Sequence, residues 1–227
     1  LAAAGSAWWL FLRDDSPPAV DLDTASESVT PDVGGDTTTS LASIDGTWVV
    51  DATTGEFDFE SATGTFAGFR IQEELSGIGS TTAVGRTGDV SGSIRIEGTT
   101  LTAAEFAIGL ASITTNESRR DDRVQDALET DQFPTATFTL SAPVDLGADP
   151  YSGADLSVTA AGDFTVHGVT RQVEVPLQAR LVGDTIVVVG SFDVAFSDYG
   201  VEVPRAAIVL SVEDHGALEL QLLLVQQ

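Results

Sequence analysis

The sequence predicts an all-β protein that folds as an antiparallel up-and-down β-barrel, and three observations support this prediction. Apolar and polar residues alternate with a period of two along most of the chain after residue 41, which is the pattern of half-buried strands. Glycine-containing turn sequences separate the alternating runs, as expected of hairpins. Consecutive hairpins form a meander, and closing it into a barrel removes the exposed edges. A β-sandwich is the alternative.

The first forty residues differ from this body. Residues 1–12 are apolar or small, with Trp8 and Trp9 near their end, and they are shorter than the roughly 20 apolar residues that span a bilayer. We interpret residues 1–13 as the remnant of an N-terminal membrane anchor or signal-anchor. The tail of a cleaved signal peptide or a core helix is the alternative interpretation.

Residues 14–40 are rich in Asp, Ser, Thr, Pro and Gly and contain almost no large apolar side chain. Such a segment cannot bury enough surface to offset the entropy of the chain, so it is predicted to be a flexible acidic linker. The barrel domain is then expected over residues 41–227. Anchor, linker and domain together would hold the barrel outside a membrane.

Alternating apolar rows give the strands in chain order. The rows are Phe57 and Phe59; Ile94 and Ile96; Phe106, Ile108 and Leu110; Ala136, Phe138 and Leu140; and alternate positions of 173–181, 186–196 and 218–224. The turns between strands are expected at Glu97-Gly98-Thr99, His167-Gly168, Gly183-Asp184 and His215-Gly216, where glycine supplies a positive φ.

One segment, residues 118–132, breaks the alternation because its charges stand at helical spacing. Ser118 is expected to cap a short helix near 118–130, with Asp121 three residues further on, and Pro134 prevents its continuation. The fold class is therefore a barrel with one short helix between strands.

This helix is interpreted as a lid over one mouth of the barrel, with Val124 and Leu128 facing inward. Arg119 and Arg120 are candidate contacts for the polar end of a ligand. The alternative is that these arginines pair with neighbouring carboxylates along a solvated helix face.

Composition excludes several classes of function. The chain has 227 residues, with 10 Lys+Arg against 35 Asp+Glu and a net charge of −25, which repels nucleic acid. There is no cysteine, so disulfides and thiolate metal sites are excluded. His167 and His215 are too few for a zinc site, and no nucleophile-elbow or phosphate-loop motif occurs. We therefore predict no enzyme, no catalytic residue, no metal and no cofactor.

The surplus of inward apolar faces predicts a binding function instead. The interior of an eight-stranded barrel is either filled by side chains or holds one small ligand. The residues predicted to line an apolar lumen are Phe106, Ile108, Leu110, Phe138, Phe164, Val166, Phe192 and Val194. A solidly packed core at these positions is the alternative.

Several motifs follow one another in the barrel region: SIDGTWVVD (43–51), GTFAGF (64–69), SITTNESRRDDRV (112–124), QFPTATF (132–138), GDFTVHGVTRQVEVP (162–176) and GSFDVAFSDYGV (190–201). Their order and content resemble the YceI-like family of polyisoprenoid-binding proteins. The resemblance implies an extended, lipocalin-like barrel whose apolar tunnel binds a long isoprenoid or another amphiphile, in proteins that are commonly secreted or periplasmic.

The chain departs from this family at three positions. Arg123 stands where the family has histidine, Phe196 replaces an arginine, and Tyr199 stands in for the family's aromatic residue. If those positions contact a head group, the ligand of this chain differs from that of its relatives.

Together these patterns predict an extracytoplasmic binding or carrier protein, periplasmic or at the cell surface and tethered to the cytoplasmic membrane by its N-terminal segment. The expected ligand is a long apolar amphiphile, such as an isoprenoid, a quinone-like molecule or another lipid. The alternative is a membrane-tethered interaction or accessory module of a membrane protein complex, with the barrel as its scaffold. A hydrolase is the weakest hypothesis.

Overall fold

The structure is a computed structural model of the chain. It describes residues 16–29, 43–51, 53, 56–75, 79–147, 154–202, 209–212 and 214–227. The predicted anchor, residues 1–13, lies outside the described residues, as do residues 14, 15 and 30–40 of the predicted linker.

The described elements are almost all strands. The helices are α1 (Leu22–Glu27) and α2 (Ser118–Ala127), with a 3₁₀ helix at Phe196–Tyr199. The strands are β1 (Gly46–Val50), β2 (Phe66–Leu75), β3 (Gly79–Thr87), β4 (Val90–Glu97), β5 (Thr100–Gly109), β6 (Thr114–Thr115), β7 (Thr135–Leu140), β8 (Val144–Asp145), β9 (Leu156–Val166), β10 (Val169–Val182), β11 (Thr185–Ala195), β12 (Val209–Val212) and β13 (His215–Gln226).

Eight strands form a closed antiparallel barrel in the order β1, β4, β5, β7, β9, β10, β11, β13. The barrel closes where β13 pairs with β1, with Val49 opposite Val225. Each strand pairs with the next strand of the barrel along the chain, so the connectivity is up-and-down. The predicted all-β barrel with one short helix near 118–130 is confirmed.

A hairpin inserted between β1 and β4 was not predicted. Strands β2 and β3 form this hairpin, and β2 pairs with the first half of β13, where Leu218 lies opposite Phe69. The second half of β13 pairs with β1. Strand β13 therefore has two partners on one side, and the β2–β3 hairpin extends the sheet beyond the closed barrel.

The predicted strand at Phe57 and Phe59 is wrong. Within residues 56–65 the structure has an isolated bridge between Asp58 and Thr63. The carboxylate of Asp58 accepts hydrogen bonds from the backbone N–H and the hydroxyl of Ser61, each at 2.7 Å. A short side chain that accepts from a backbone N–H three residues further on favours a turn over a strand.

The predicted turn at His215-Gly216 is also wrong, because both residues begin β13. A Cβ atom at Gly216 would lie 2.7 Å from the carbonyl oxygen of Arg70 on β2, so the glycine permits close approach of two strands. The turns predicted at Gly98, Gly168 and Gly183 are confirmed, and each of these glycines has a positive φ.

Helix α2 begins one residue earlier than predicted, because Ser118 was expected to be the N-cap residue. Glu117 is the N-cap residue and makes no side-chain capping bond, while Ser118 is already the first helical residue. The Asp121 carboxylate accepts from the backbone N–H and the hydroxyl of Thr115, at 2.8 and 2.7 Å. Asp121 thus ties the helix to β6 rather than taking part in a capping box.

Residues 16–29, assigned above to the linker, pack on the outside of the barrel. Asp21 caps α1 through the backbone N–H of Thr24. Leu22, Ala25 and Val29 form a buried cluster with outward-facing residues of two strands, Val187, Val189 and Leu223. The linker prediction therefore fails for this part, since three apolar residues at helical spacing meet an apolar patch on the barrel.

No helix among the described residues has the length and apolar character that a bilayer crossing requires.

A buried charge cluster lies under the same segment. Glu219 on β13 pairs with Arg70 at 3.0 Å and with Arg86 at 3.3 Å, and the Arg86 side chain is fully buried. Arg70 also donates to the carbonyl of Pro17, and Arg86 to that of Pro18. Burial lowers the pKa of Arg86, and the Glu219 carboxylate opposes this shift. The two arginines thus fasten the N-terminal segment to the barrel.

Replacing Leu22 by alanine should destabilise the protein by about 2 kcal/mol, the low end for buried leucines, because α1 lies on the surface. Urea denaturation of the full chain measures this change. Glu27→Ala, an exposed position on the same helix, is the control and should change stability by less than about 0.5 kcal/mol. Equal losses in the two variants would contradict the packing of α1.

Replacing Glu219 by glutamine should cost about 3 kcal/mol or more, because it leaves the buried Arg86 without its counter-charge. The matched control is Glu97→Gln, which removes one partner of the exposed Arg95–Glu97 pair at 2.8 Å and should cost less than about 1 kcal/mol. Thermal or urea unfolding of both variants compares the two losses. A Glu219→Gln loss no larger than the control would contradict the role of this cluster.

Candidate functional site: an apolar cavity

A cavity of about 240 Å³ runs inside the barrel and is lined almost entirely by hydrocarbon. An engineered protein cavity of about 150 Å³ lined by apolar side chains stays dry and binds benzene, so this cavity exceeds the size needed for an apolar guest. Its wall includes inward-facing residues of all the long barrel strands, from β4 to β13. The interior is therefore hollow along much of the barrel.

The strand pattern explains why the interior is hollow. Inward positions carry small residues between large ones, such as Ala104, Ala136 and Ala179. Phe106 and Leu177 face inward yet are only half-buried, because part of their surface meets the cavity instead of another side chain. Side chains in a filled barrel would meet one another across the axis.

All eight residues predicted to line a lumen lie in the cavity wall. They are Phe106, Ile108, Leu110, Phe138, Phe164, Val166, Phe192 and Val194. The ring of Phe164 meets Phe192 and Tyr199 edge-on, with centroids 5.8 and 5.7 Å apart. Their contact with a ligand stays a prediction.

Helix α2 and the turn after it lie against one end of the cavity. Leu128 lines the cavity, and Val124 is buried in the adjoining apolar cluster. The Gln125 side chain donates to the carbonyl of Leu110 at 3.2 Å, which ties the helix to the residue that follows β5. The lining residues at this end, including Tyr199, are buried or half-buried.

Of the other two residues of the predicted head-group site, the structure describes the side chain of Arg120, which is bonded away from the cavity lining. The Arg120 guanidinium donates to Glu73 at 2.8 Å and to Asn116 at 2.7 Å, and Arg120 is not among the lining residues. The side chain of Arg119 lies outside what the structure describes. Arg120 is therefore paired with a carboxylate, but with one on β2 rather than with a neighbour along the helix face.

Tyr199 is held at this end by the 3₁₀ helix. His167, in the β9–β10 turn, has its Nδ1 atom 3.0 Å from the Tyr199 carbonyl oxygen, and its Nε2 atom lies 3.7 Å from the Glu129 carboxylate. Burial raises the pKa of the Tyr199 hydroxyl. The histidine links the 3₁₀ helix to the turn that follows α2.

The opposite end carries a charged residue that the sequence reasoning missed. Arg180 lies near the end of β10 and is paired with Val187 of β11, whose side chain faces outward under α1. Arg180 Nε donates to Asp155 at 2.7 Å, and Nη2 donates to Asp155 at 2.9 Å and to Asp23 of α1 at 2.7 Å. These bonds raise the pKa of Arg180 and lower that of Asp155. Arg180 therefore lies on the outer face, as strict alternation predicts, but the alternation gives no signal of its pairing with Asp23 and Asp155, which are distant from it in sequence.

The described residues contain no cluster of three or more His, Asp or Glu side chains that could hold a metal ion. The cavity wall is almost wholly apolar, and its arrangement favours binding a hydrocarbon over chemistry on it.

Residues 48–224 match the family model of the YceI-like domain, and the chain belongs to this family. No curated protein sequence matches the chain.

Several solved structures share the fold. A polyisoprenoid-binding domain from Saccharophagus degradans, implicated in plant cell wall breakdown, is 22% identical with a TM-score of 0.57, covering 72% of this chain and 98% of its own. BcnA from Burkholderia cenocepacia is 19% identical with a TM-score of 0.55, covering 77% of this chain and 98% of its own. The YceI protein of Campylobacter jejuni is 19% identical with a TM-score of 0.52, covering 63% and 84%.

Replacing Ala179 by phenylalanine should change stability by less than about 1 kcal/mol, because the new ring can enter the cavity. In a filled core the same change would cost about 1–3 kcal/mol through overpacking. Urea denaturation measures the difference. Ala25→Phe is the comparison, since Ala25 is fully buried between α1 and the barrel and has no void to enter. Similar large losses in both variants would contradict a hollow interior.

Proposed function

We propose that the protein binds one long apolar amphiphile, such as an isoprenoid, a quinone-like molecule or another lipid, in the cavity of its barrel. The observation that carries this proposal is the continuous apolar wall around about 240 Å³ of space. Each CH₂ group that enters such a wall from water contributes about 0.8 kcal/mol, before the cost of ordering the chain. Binding of this kind needs no catalytic residue.

The shape of the cavity supports an elongated ligand. Its lining extends from Leu146 and Ala154 at one end to Ile113 and Tyr199 at the other. The inner wall between these ends offers side chains of hydrocarbon and aromatic rings, which cannot compensate a charged group removed from water. A molecule with a long apolar chain and a polar group at one end matches this distribution.

Family membership supports the same proposal. The Saccharophagus degradans domain is a polyisoprenoid-binding protein with the same fold, and this chain carries a comparable barrel with a hollow interior. An isoprenoid is therefore the first ligand to test.

An extracytoplasmic location and a tether to the cytoplasmic membrane are part of the proposal. They are supported by the apolar residues 1–12 and the acidic composition of the chain. In this setting the barrel would carry or sequester a chain that is insoluble in water.

Native mass spectrometry of protein purified from its own membranes should reveal a co-purified amphiphile in wild type. Ala179→Phe should reduce the occupied fraction at least several-fold, because the new ring takes space in the cavity. Gln178→Phe, on the outward face of the same strand, is the control and should retain the ligand.

After removal of lipid, wild-type protein should take up a C15 or longer prenyl probe from vesicles, while Ala179→Phe should not. An empty wild-type barrel that takes up no prenyl probe would contradict the proposal. If such a barrel also stays in a stable complex with another membrane protein, the scaffold hypothesis would replace it.

A further inference from the structure

The cavity offers a ligand one polar side chain on the inner face of its wall. Three residues that border the cavity have polar side chains, namely Arg180, Glu219 and Tyr199. Arg180 is paired with the outward-facing Val187, and Glu219 lies on the same face of β13 as the outward-facing Leu223. Both charged side chains are bound in ion pairs on that outer face. Among the described residues of the wall, Tyr199 therefore carries the one polar side-chain group that faces the interior.

The ring of Tyr199 is held in the interior by its neighbours. It meets the ring of Phe164, an inward-facing residue of β9, edge-on with centroids 5.7 Å apart. Tyr199 belongs to the same buried cluster as Phe164 and Val194, and 4% of its surface is exposed. Its backbone is fixed as well, because the Nδ1 atom of His167 lies 3.0 Å from the Tyr199 carbonyl oxygen. The side chain is thus positioned before a ligand binds.

The Tyr199 hydroxyl makes no hydrogen bond within the described part of the chain. Two charged residues that influence it, Arg171 and Asp198, are exposed. The Arg171 guanidinium donates to the carbonyl of Asp198, at 3.2 and 3.1 Å, and not to the hydroxyl. A buried tyrosine hydroxyl usually has a partner, because leaving it without one costs free energy. The hydroxyl oxygen is not fully enclosed by protein atoms, so a ligand atom can reach it.

We propose, resting on the lipid-binding function above, that the Tyr199 hydroxyl forms a hydrogen bond with an oxygen atom of the ligand and so places the polar end of the ligand beside the 3₁₀ helix. The oxygen belongs to an uncharged group, an alcohol or a carbonyl, because a neutral hydroxyl cannot compensate a full charge removed from water. Burial raises the pKa of this hydroxyl, so it keeps its proton at neutral pH and can donate. The apolar chain of the ligand then extends along the barrel towards Leu146.

The test compares two C15 probes with the same chain, farnesol and the hydrocarbon in which hydrogen replaces its hydroxyl group. The delipidated 227-residue chain takes up each probe from phosphatidylcholine vesicles, and mass spectrometry quantifies the bound probe. Tyr199→Phe should lower the affinity for farnesol about fivefold, as expected for the loss of one hydrogen bond, and leave that for the hydrocarbon within twofold. Because wild type and variant are compared for each probe separately, the partition of the probe into the vesicles cancels.

Phe192→Leu is the control for a change in the shape of the wall. The Phe192 ring lies beside Phe164, with centroids 5.8 Å apart, and it has no polar atom. This variant should therefore weaken the binding of both probes by the same factor.

The unfolding midpoint of the delipidated protein is a second readout. Tyr199→Phe should not lower this midpoint, because the hydroxyl has no hydrogen-bond partner to lose when the cavity is empty. A lower midpoint would show that the hydroxyl is bonded within the protein, and it would overturn the inference.

The uptake results distinguish this inference from the proposed function. If wild type takes up neither probe, the lipid-binding function fails and the inference falls with it. If wild type takes up both probes and Tyr199→Phe weakens both equally, or weakens neither, only the inference is overturned. Uptake of the hydrocarbon without farnesol would likewise overturn the inference and leave lipid binding standing.

Discussion

The pairing of β1 with β13 is the contact on which the rest of the molecule depends. It joins the first and last strands of the barrel through three residue pairs, from Trp48–Gln226 to Val50–Leu224. Trp48 is fully buried, and its indole N–H donates to the carbonyl of Ile44 at 2.8 Å, which fixes the start of β1. Without this closure the inward apolar rows would line an open sheet, and no enclosed cavity would exist.

A hollow barrel gives up part of the packing that normally stabilises a domain, and this one adds packing on its outer surface. Residues 185–190 of β11 are buried on both faces of the strand. Their outward side chains, including Val187 and Val189, lie under α1, and Glu219 with its two arginines lies beside them. The N-terminal segment thus contributes to the stability of the barrel.

The period-two pattern was sufficient to predict the barrel and the cavity-facing positions, because inward and outward residues alternate wherever a strand is regular. It failed where local hydrogen bonds decide the conformation, as at Asp58, or where two strands approach closely, as at Gly216. It also missed the packing of α1, since the apolar patch that receives this helix is assembled from strands distant in sequence. The ion pairs of Arg180 with Asp155 and Asp23 were not predicted either, because alternation does not encode contacts between outer side chains distant in sequence.

The empty space inside the barrel also has a mechanical consequence. Unfolding eliminates internal voids, so hydrostatic pressure favours the unfolded state in proportion to the void volume. A protein whose interior holds an apolar cavity of about 240 Å³ is therefore more compressible when empty than when a ligand fills it. A ligand in the cavity occupies this void and lowers the compressibility of the protein. The ligand-bound and empty forms therefore differ in molar volume, even where their backbone structures are the same.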